Sequence, residues 1–570
     1  MLKGIGVSGG YGMGHAVVVK RADLSYVKKE ECHPDTEHRR FSEALECFYN
    51  RNTELAKSVK DTLGEKESEI ITGHVMIMKD PYMLSEINKK IDEGKCAEEA
   101  LEEVCDSFID MLSSANDEFT VQRAVDVRDI KTEILSLLTG AEQVDVSNLK
   151  EGTVLVAHEL TPSMTAGIDR KKVVGIITEL GSGTSHAAIL ARAMEIPAVL
   201  GAPDATKEIK PDDIVVADGN SGDVIINPDA DKKELYTRKK IEYIERRKAL
   251  LRFKGMPTRT KDGIKADLFC NIGTADDAET VAKYDGEGIG LFRTEFLFMD
   301  RSGVPDENEQ FEAYKKVLLV MKEKPVIIRT LDIGGDKDIP YLGLTKEENP
   351  FLGFRAVRYC LKHTEIFKTQ LKALVRASGY GNLSIMIPLV TGVEELREVR
   401  KMVEDIMREL EKQSVPYDKD LKVGVMIETP SAAIIADILA VEADFFSIGT
   451  NDLTGYTLAV DRGNANVAYL YSVFAPSVLR TIKNIISEAK RAGIPVGMCG
   501  EAAADPMLIP LLISFGLDEF SVSASSVLST RREISRWDKA RADEIANRIM
   551  ELKTERDVVE ALGKIVNDTV

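Results

Sequence analysis

The chain has 570 residues, 44% hydrophobic and 30% charged, an ordinary balance for a soluble protein too long for one core, so two or three domains are expected. Its formal net charge of −19 argues against nucleic acid or an anionic membrane as the main partner. No run approaches the roughly 20 apolar residues that cross a bilayer, the start MLKGIGVSGG lacks a signal-type apolar core, and seven scattered cysteines with no C-x-x-C pair read as free thiols of a cytoplasmic protein.

Residues 1 to about 25 read as glycine-punctuated strands. From 33 to 143 the texture changes to long charged stretches such as EEALEEVCDSFIDMLSSA, with apolar residues three and four apart and little glycine or proline. That spacing predicts a helical bundle of two hairpins. Strand texture resumes at GTVLVAH, VVGIIT, DIVVADG and DVIINP. A small α/β domain over 1–32 and 144–229, carrying the helical insert 33–143, is the economical reading. Residues 230–260 follow as a charged connector helix.

Between 261 and 570, eight β-type runs alternate with helical stretches: IKADLFCNIG, GIGLFRTEF, PVIIRTLDIGG, LSIMIPLV, LKVGVMIETP, FFSIGTNDLT, IPVGMCGEA and DEFSVSAS. This alternation predicts a (β/α)8 barrel, with a doubly wound open sheet as the alternative, since counting strands does not prove closure. Barrels carry their chemistry at the strand C-termini.

In the α/β part, ELGSGTSHAAILARAMEIPAV (179–199) places His186 at the mouth of a helix behind Gly181 and Gly183. A helix N-terminus attracts negative charge and disfavours imidazolium, which suits a nucleophile that accepts a phosphoryl group. The bland alternative is that Thr184 or Ser185 caps the helix and His186 fills its first turn.

At the barrel's strand ends stand Arg293, Arg329 and Arg462, with Glu428 and Asp452. Arginine forks grip carboxylate and phosphate, and two carboxylates suit Mg²⁺ completed by phosphate oxygens and water. Each residue alone reads as a surface ion pair or a cap; together on one face they point to a small phosphorylated carboxylic acid. Cys499, in GMCGEA on the same face, is either a buried filler or a proton donor.

The motif GSGTSHAAILARAMEIPAVLG resembles the phosphohistidine segment of enzymes that use phosphoenolpyruvate. GIGLFRTEFLFMDR, IIRTLDIGGDK, EENPFLGFRAVR, GVMIETPSAA, SIGTNDLT with AVDRGN, and GMCGEAA resemble the barrel signatures of the Enzyme I family, the phosphoenolpyruvate-protein phosphotransferases of bacterial sugar transport. RAVDVRDI (123–130) and GHVMIMKDP (73–81) resemble the family's docking region for the phosphocarrier HPr. The resemblance runs nearly end to end. It implies that His186 takes the phosphoryl group and passes it to HPr, with Thr165 supporting the histidine. It implies that Arg293, Arg329, Asn451 and Arg462 bind substrate, that Glu428 and Asp452 bind Mg²⁺, that Cys499 protonates the enolate as pyruvate leaves, and that Arg123 docks HPr. It further implies a homodimer formed through the barrel. The alternative, a regulatory or scaffold homologue with weak transfer, predicts the loss of one of these groups, and the sequence keeps them all. It departs from the family pattern at Gly183, usually Arg, at Ala187, usually Thr, and at Gly455, usually Gln; Met164 and Thr72 stand where acidic residues are common.

Overall fold

The computed structural model describes residues 1–19, 24, 26, 32–62, 65–113, 118–141, 146, 149–160, 164, 168–181, 186–299, 301, 303–334, 339–344, 347–464 and 466–568. The chain divides into two compact units, Met1–Lys248 and Ala249–Val570. Among the described residues no helix is long and apolar enough to cross a membrane.

In the first unit, β1 (Leu2–Lys3), β2 (Ile5–Ser8), β3 (Tyr11–Val19), β4 (Thr153–Ala157), β5 (Val173–Thr178), β6 (Ala198–Leu200), β7 (Ile214–Asp218) and β8 (Asp223–Ile226) form one sheet in the order β1-β8-β7-β3-β4-β5-β6-β2. Its centre, β3 to β6, is parallel. β4 and β5 are runs rich in Val, Ile and Leu, buried along nearly their whole length, the pattern parallel pairing requires.

Between β3 and β4 the chain forms α1 (Pro34–Thr62), α2 (Glu65–Met78), α3 (Pro81–Asp92), α4 (Ala97–Ser113) and α5 (Glu118–Thr139). Two hairpins would need four helices; the described residues contain five. The extra break lies at Asp80–Pro81. Proline has no N–H to continue α2, and the Asp80 carboxylate accepts from the Tyr82 and Met83 N–H groups, both at 2.9 Å, to start α3. Ala97, Ala100, Leu101, Val104, Cys105 and Ile109 give α4 one buried stripe at helical spacing.

Helix α6 (His186–Met194) follows β5. Ala187, Ala188, Leu190, Ala191 and Met194 are buried against the sheet, where small side chains allow close approach. After α7 (Ala205–Glu208), the charged helix α8 (Ala230–Leu251) buries little beyond Tyr236.

The second unit resolves the choice between barrel and open sheet. Its strands β9 (Asp267–Ile272), β10 (Gly288–Arg293), β11 (Val326–Arg329), β12 (Leu383–Ile387), β13 (Lys422–Ile427), β14 (Phe446–Gly449), β15 (Val496–Cys499) and β16 (Glu519–Val522) are parallel and close into a barrel as β16 pairs with β9. Leu291, Ile327, Met386, Met426, Phe445 and Cys499 form a separate buried cluster contributed by the barrel strands and the residue entering β14.

Glu519 is buried at the start of β16, its Oε1 without an internal partner. Burial, then the charges of Asp267 and Asp518, push its pKa up to about 8 from 4.5. A carboxyl raised in the folded state is neutral there while the unfolded chain ionises, so stability is full below the unfolded pKa and falls as pH rises toward the folded one. Glu519→Gln should therefore match wild type in acid and exceed it by a few kcal/mol at mildly alkaline pH. Urea melts across that pH range would check this; parallel curves for the two proteins would contradict it.

Candidate active site at the barrel mouth

Strand register assembles the site. Arg329 ends β11 and pairs with Arg293 at the end of β10, while Cys499 ends β15 opposite Gly449 of β14. Glu428 directly follows β13, and Asp452 lies in the first turn of the helix Thr450–Leu458.

A chain of alternating charges links these strand ends. Arg329 Nη2 donates to Glu295 Oε1 at 2.6 Å, and its Nη1 lies 2.9 Å from Asp332 Oδ2. Asp332 Oδ1 accepts from Arg355 Nη2 at 2.8 Å, and the same nitrogen reaches Asp452 Oδ2 at 3.4 Å. Burial alone would weaken the charge of either arginine, yet the surrounding carboxylates outweigh it and raise both pKa values. The buried Arg329 Nε has no internal partner, so this fork keeps a donor for an anion.

Glu428 is 2% exposed, and its Oε1 accepts the Leu389 N–H at 2.7 Å. Burial, then the charges of Asp452 and Asp332, push its pKa up to about 8 against the opposing arginines. Position 449 must be glycine for Glu428 to fit, because a Cβ there would lie 2.6 Å from Glu428 Oε2. An excess of carboxylates over arginines fits a hard cation. Among the described residues no group of three or more His, Cys, Asp or Glu is arranged to hold a metal. Glu428 and Asp452 are hard oxygen donors, and two carboxylates suffice for a divalent cation whose shell is completed by substrate oxygens and water.

Cys499 is 4% exposed, and burial foremost pushes its thiol up to about 11, so it is protonated at neutral pH. Beside Glu428 opens a pocket of about 290 Å³ bordered by Phe351, Arg358, Leu389, Thr429 and Tyr456.

Arg462 is exposed and hydrogen-bonded to Tyr471, whose hydroxyl donates to the Asn451 carbonyl at 3.0 Å. In the first unit α6 begins at His186, and Gly181 before it has φ +119°, a conformation that favours glycine. Thr165, Gly183, Thr184 and Ser185 lie outside the described residues. Arg123 on α5 stands over Gly73 of α2 and 3.7 Å from Asp126, while His74 Nε2 is 3.4 Å from Asp126 Oδ1. The two docking-like segments therefore lie side by side, with Met76 and Tyr82 exposed nearby.

Sequence reasoning missed Glu295, Asp332 and Arg355. The available signal was their setting: Glu295 is two residues from Arg293, Asp332 three from Arg329, and Arg355 stands between the apolar Phe354 and Ala356.

Three family profiles match the chain: "PEP-utilising enzyme, N-terminal" over residues 3–123, "PEP-utilising enzyme, mobile domain" over 149–222, and "PEP-utilising enzyme, PEP-binding domain" over 247–539. A phosphoenolpyruvate-protein phosphotransferase of Staphylococcus epidermidis is 42% identical over 99% of both chains. One of Bacillus subtilis is 43% identical over 98% of both.

Proposed function

Since the chain belongs to the phosphoenolpyruvate-protein phosphotransferase family, we propose that its His186 takes the phosphoryl group from phosphoenolpyruvate and hands it to a histidine of HPr. The observation that carries this reading is the meeting, at the strand ends, of an anion-gripping Arg329, a carboxylate pair and a protonated thiol.

Arg329, with Arg293, Arg462 and Asn451, holds the phosphate and carboxylate of the substrate. A lone pair of the His186 imidazole attacks phosphorus, the bond from phosphorus to the enol oxygen breaks, and its electron pair stays on the enolate. Cys499 then gives its proton to C3 of the enolate, forming pyruvate and leaving a thiolate that regains a proton from solvent. Glu428 and Asp452 would hold Mg²⁺, which would supply positive charge against the charge that develops as the phosphoryl group leaves. The protein's contribution is positioning and charge neutralisation.

Domain roles follow the chain: 1–32 with 144–229 carries the histidine, 33–143 docks HPr beside Arg123, 230–260 connects, and 261–570 binds phosphoenolpyruvate. Exposed Ile434, Ile438 and Val441 support pairing of two barrels in a homodimer.

The test is to incubate the protein with phosphoenolpyruvate and Mg²⁺ and map the acid-labile phosphate by mass spectrometry. It should sit on the peptide containing His186 and disappear when HPr is added; phosphate on any other histidine would reject the assignment. A second expectation concerns the metal. Glu428 must lose its proton to ligate, so Mg²⁺ should bind roughly 20–30-fold more tightly at about pH 8.5 than at about pH 6.5. Glu428→Gln should bind weakly at both, as isothermal titration would show.

A further inference from the structure

Ser447 is fully buried on β14, and its hydroxyl donates to Cys499 Sγ at 3.4 Å. The thiol's own proton points elsewhere, toward the Ile448 carbonyl at 3.8 Å. The sulfur is thus held between two neighbours on one strand, one receiving its proton and the other supplying a hydrogen bond to its lone pairs. The charged groups facing it come from other strands: Glu428 after β13, Arg329 at the end of β11 and Glu519 at the start of β16. Arg329 favours a thiolate there, and both carboxylates oppose it.

We infer that Ser447 is a positioning residue for enolate protonation, holding the Cys499 sulfur in place and stabilising the thiolate left after the proton departs. The inference rests on the reading of Cys499 as the proton donor. In the forward step the S–H bond breaks, its proton joins C3 of the enolate, and the electron pair stays on sulfur. Burial limits how fully water can solvate that new anion before solvent returns a proton to it. A hydroxyl already aimed at the sulfur requires no reorganisation and binds the anion more strongly than the neutral thiol. Phosphoryl transfer to His186 makes no use of this contact, so the two half-steps should separate under mutation.

The reverse of protonation provides the assay. Phosphorylated protein is incubated with pyruvate and Mg²⁺ in D₂O; the thiolate removes a C3 proton, exchanges it with solvent and returns deuterium, which mass spectrometry detects in the methyl group. In Ser447→Ala this exchange should fall three- to tenfold at neutral pH, and the midpoint of its pH profile should rise by about one unit. The extent of His186 phosphorylation by phosphoenolpyruvate should not change. A packing defect alone would lower the rate without moving the midpoint, so an unmoved midpoint overturns the inference at any rate. Cys499→Ala separates the two layers of the argument. If it exchanges as wild type does, the proton-donor reading falls, and the role of Ser447 with it. If it abolishes exchange while Ser447→Ala keeps the wild-type profile, only the role of Ser447 falls.

Discussion

Replacing His186 with alanine should lower phosphoryl incorporation from phosphoenolpyruvate by at least about 10⁴-fold while leaving phosphoenolpyruvate binding within about twofold of wild type. The separation of these effects follows from the architecture. The residues that would grip the substrate belong to the unit Ala249–Val570, which has its own extensive core. His186 opens a helix packed on the sheet of the other unit. Removing the imidazole would delete the proposed acceptor while leaving every substrate-gripping residue of the Ala249–Val570 unit in the sequence. Labelling with phosphoenolpyruvate carrying a radioactive phosphoryl group measures the first quantity, and isothermal titration the second. Equal labelling of the two proteins would sink the assignment of His186, and loss of both quantities would show that the substitution had damaged the whole chain.

Arg329 supplies the second large effect, and two substitutions divide it into function and stability. Lysine keeps one positive charge between Glu295 and Asp332 but has no planar fork and no Nε–H. Removing a preorganised donor from a transition-state oxyanion commonly lowers turnover by 10²–10³-fold. Arg329→Lys should therefore lose about that much in kcat/KM for His186 phosphorylation with little change in melting. Arg329→Met removes the charge as well. Glu295 would then be buried without its cation, at a cost of about 3 kcal/mol or more. A Lys variant as unstable as the Met variant would mean that the fork itself, and not the charge, holds the two carboxylates.

The barrel strands are legible in the sequence because parallel strands covered on both faces are continuous apolar runs stopped by polar residues. PVII then Arg329, and VGVMI then Glu428, are of this kind. Closure is not legible, since it depends on β16 meeting β9 from the opposite end of the unit. The site is half legible for a related reason. Residues that terminate strands advertise their position, as Arg329, Glu428 and Cys499 do. Asp332 and Arg355 lie in loops and Glu295 in a short 3₁₀ turn, where a charge reads as solvated until the fold shows it buried among counter-charges. The helical insert teaches the same lesson: the capping signal at Asp80–Pro81 is present, but similar apolar spacing on both sides makes one long helix look plausible.

The line from Glu295 through Arg329, Asp332 and Arg355 to Asp452 also governs how this site can change over generations. Each member is tied to its neighbours, so the effect of altering one depends on the state of the next. Two substitutions in the line should together cost less than the sum of their separate effects, because the second removes a charge the first had already left stranded. Single steps away from the present set are therefore penalised more heavily than coordinated ones. The five residues are expected to be inherited as a block, with Arg355 as closely bound to that inheritance as the arginine that ends β11.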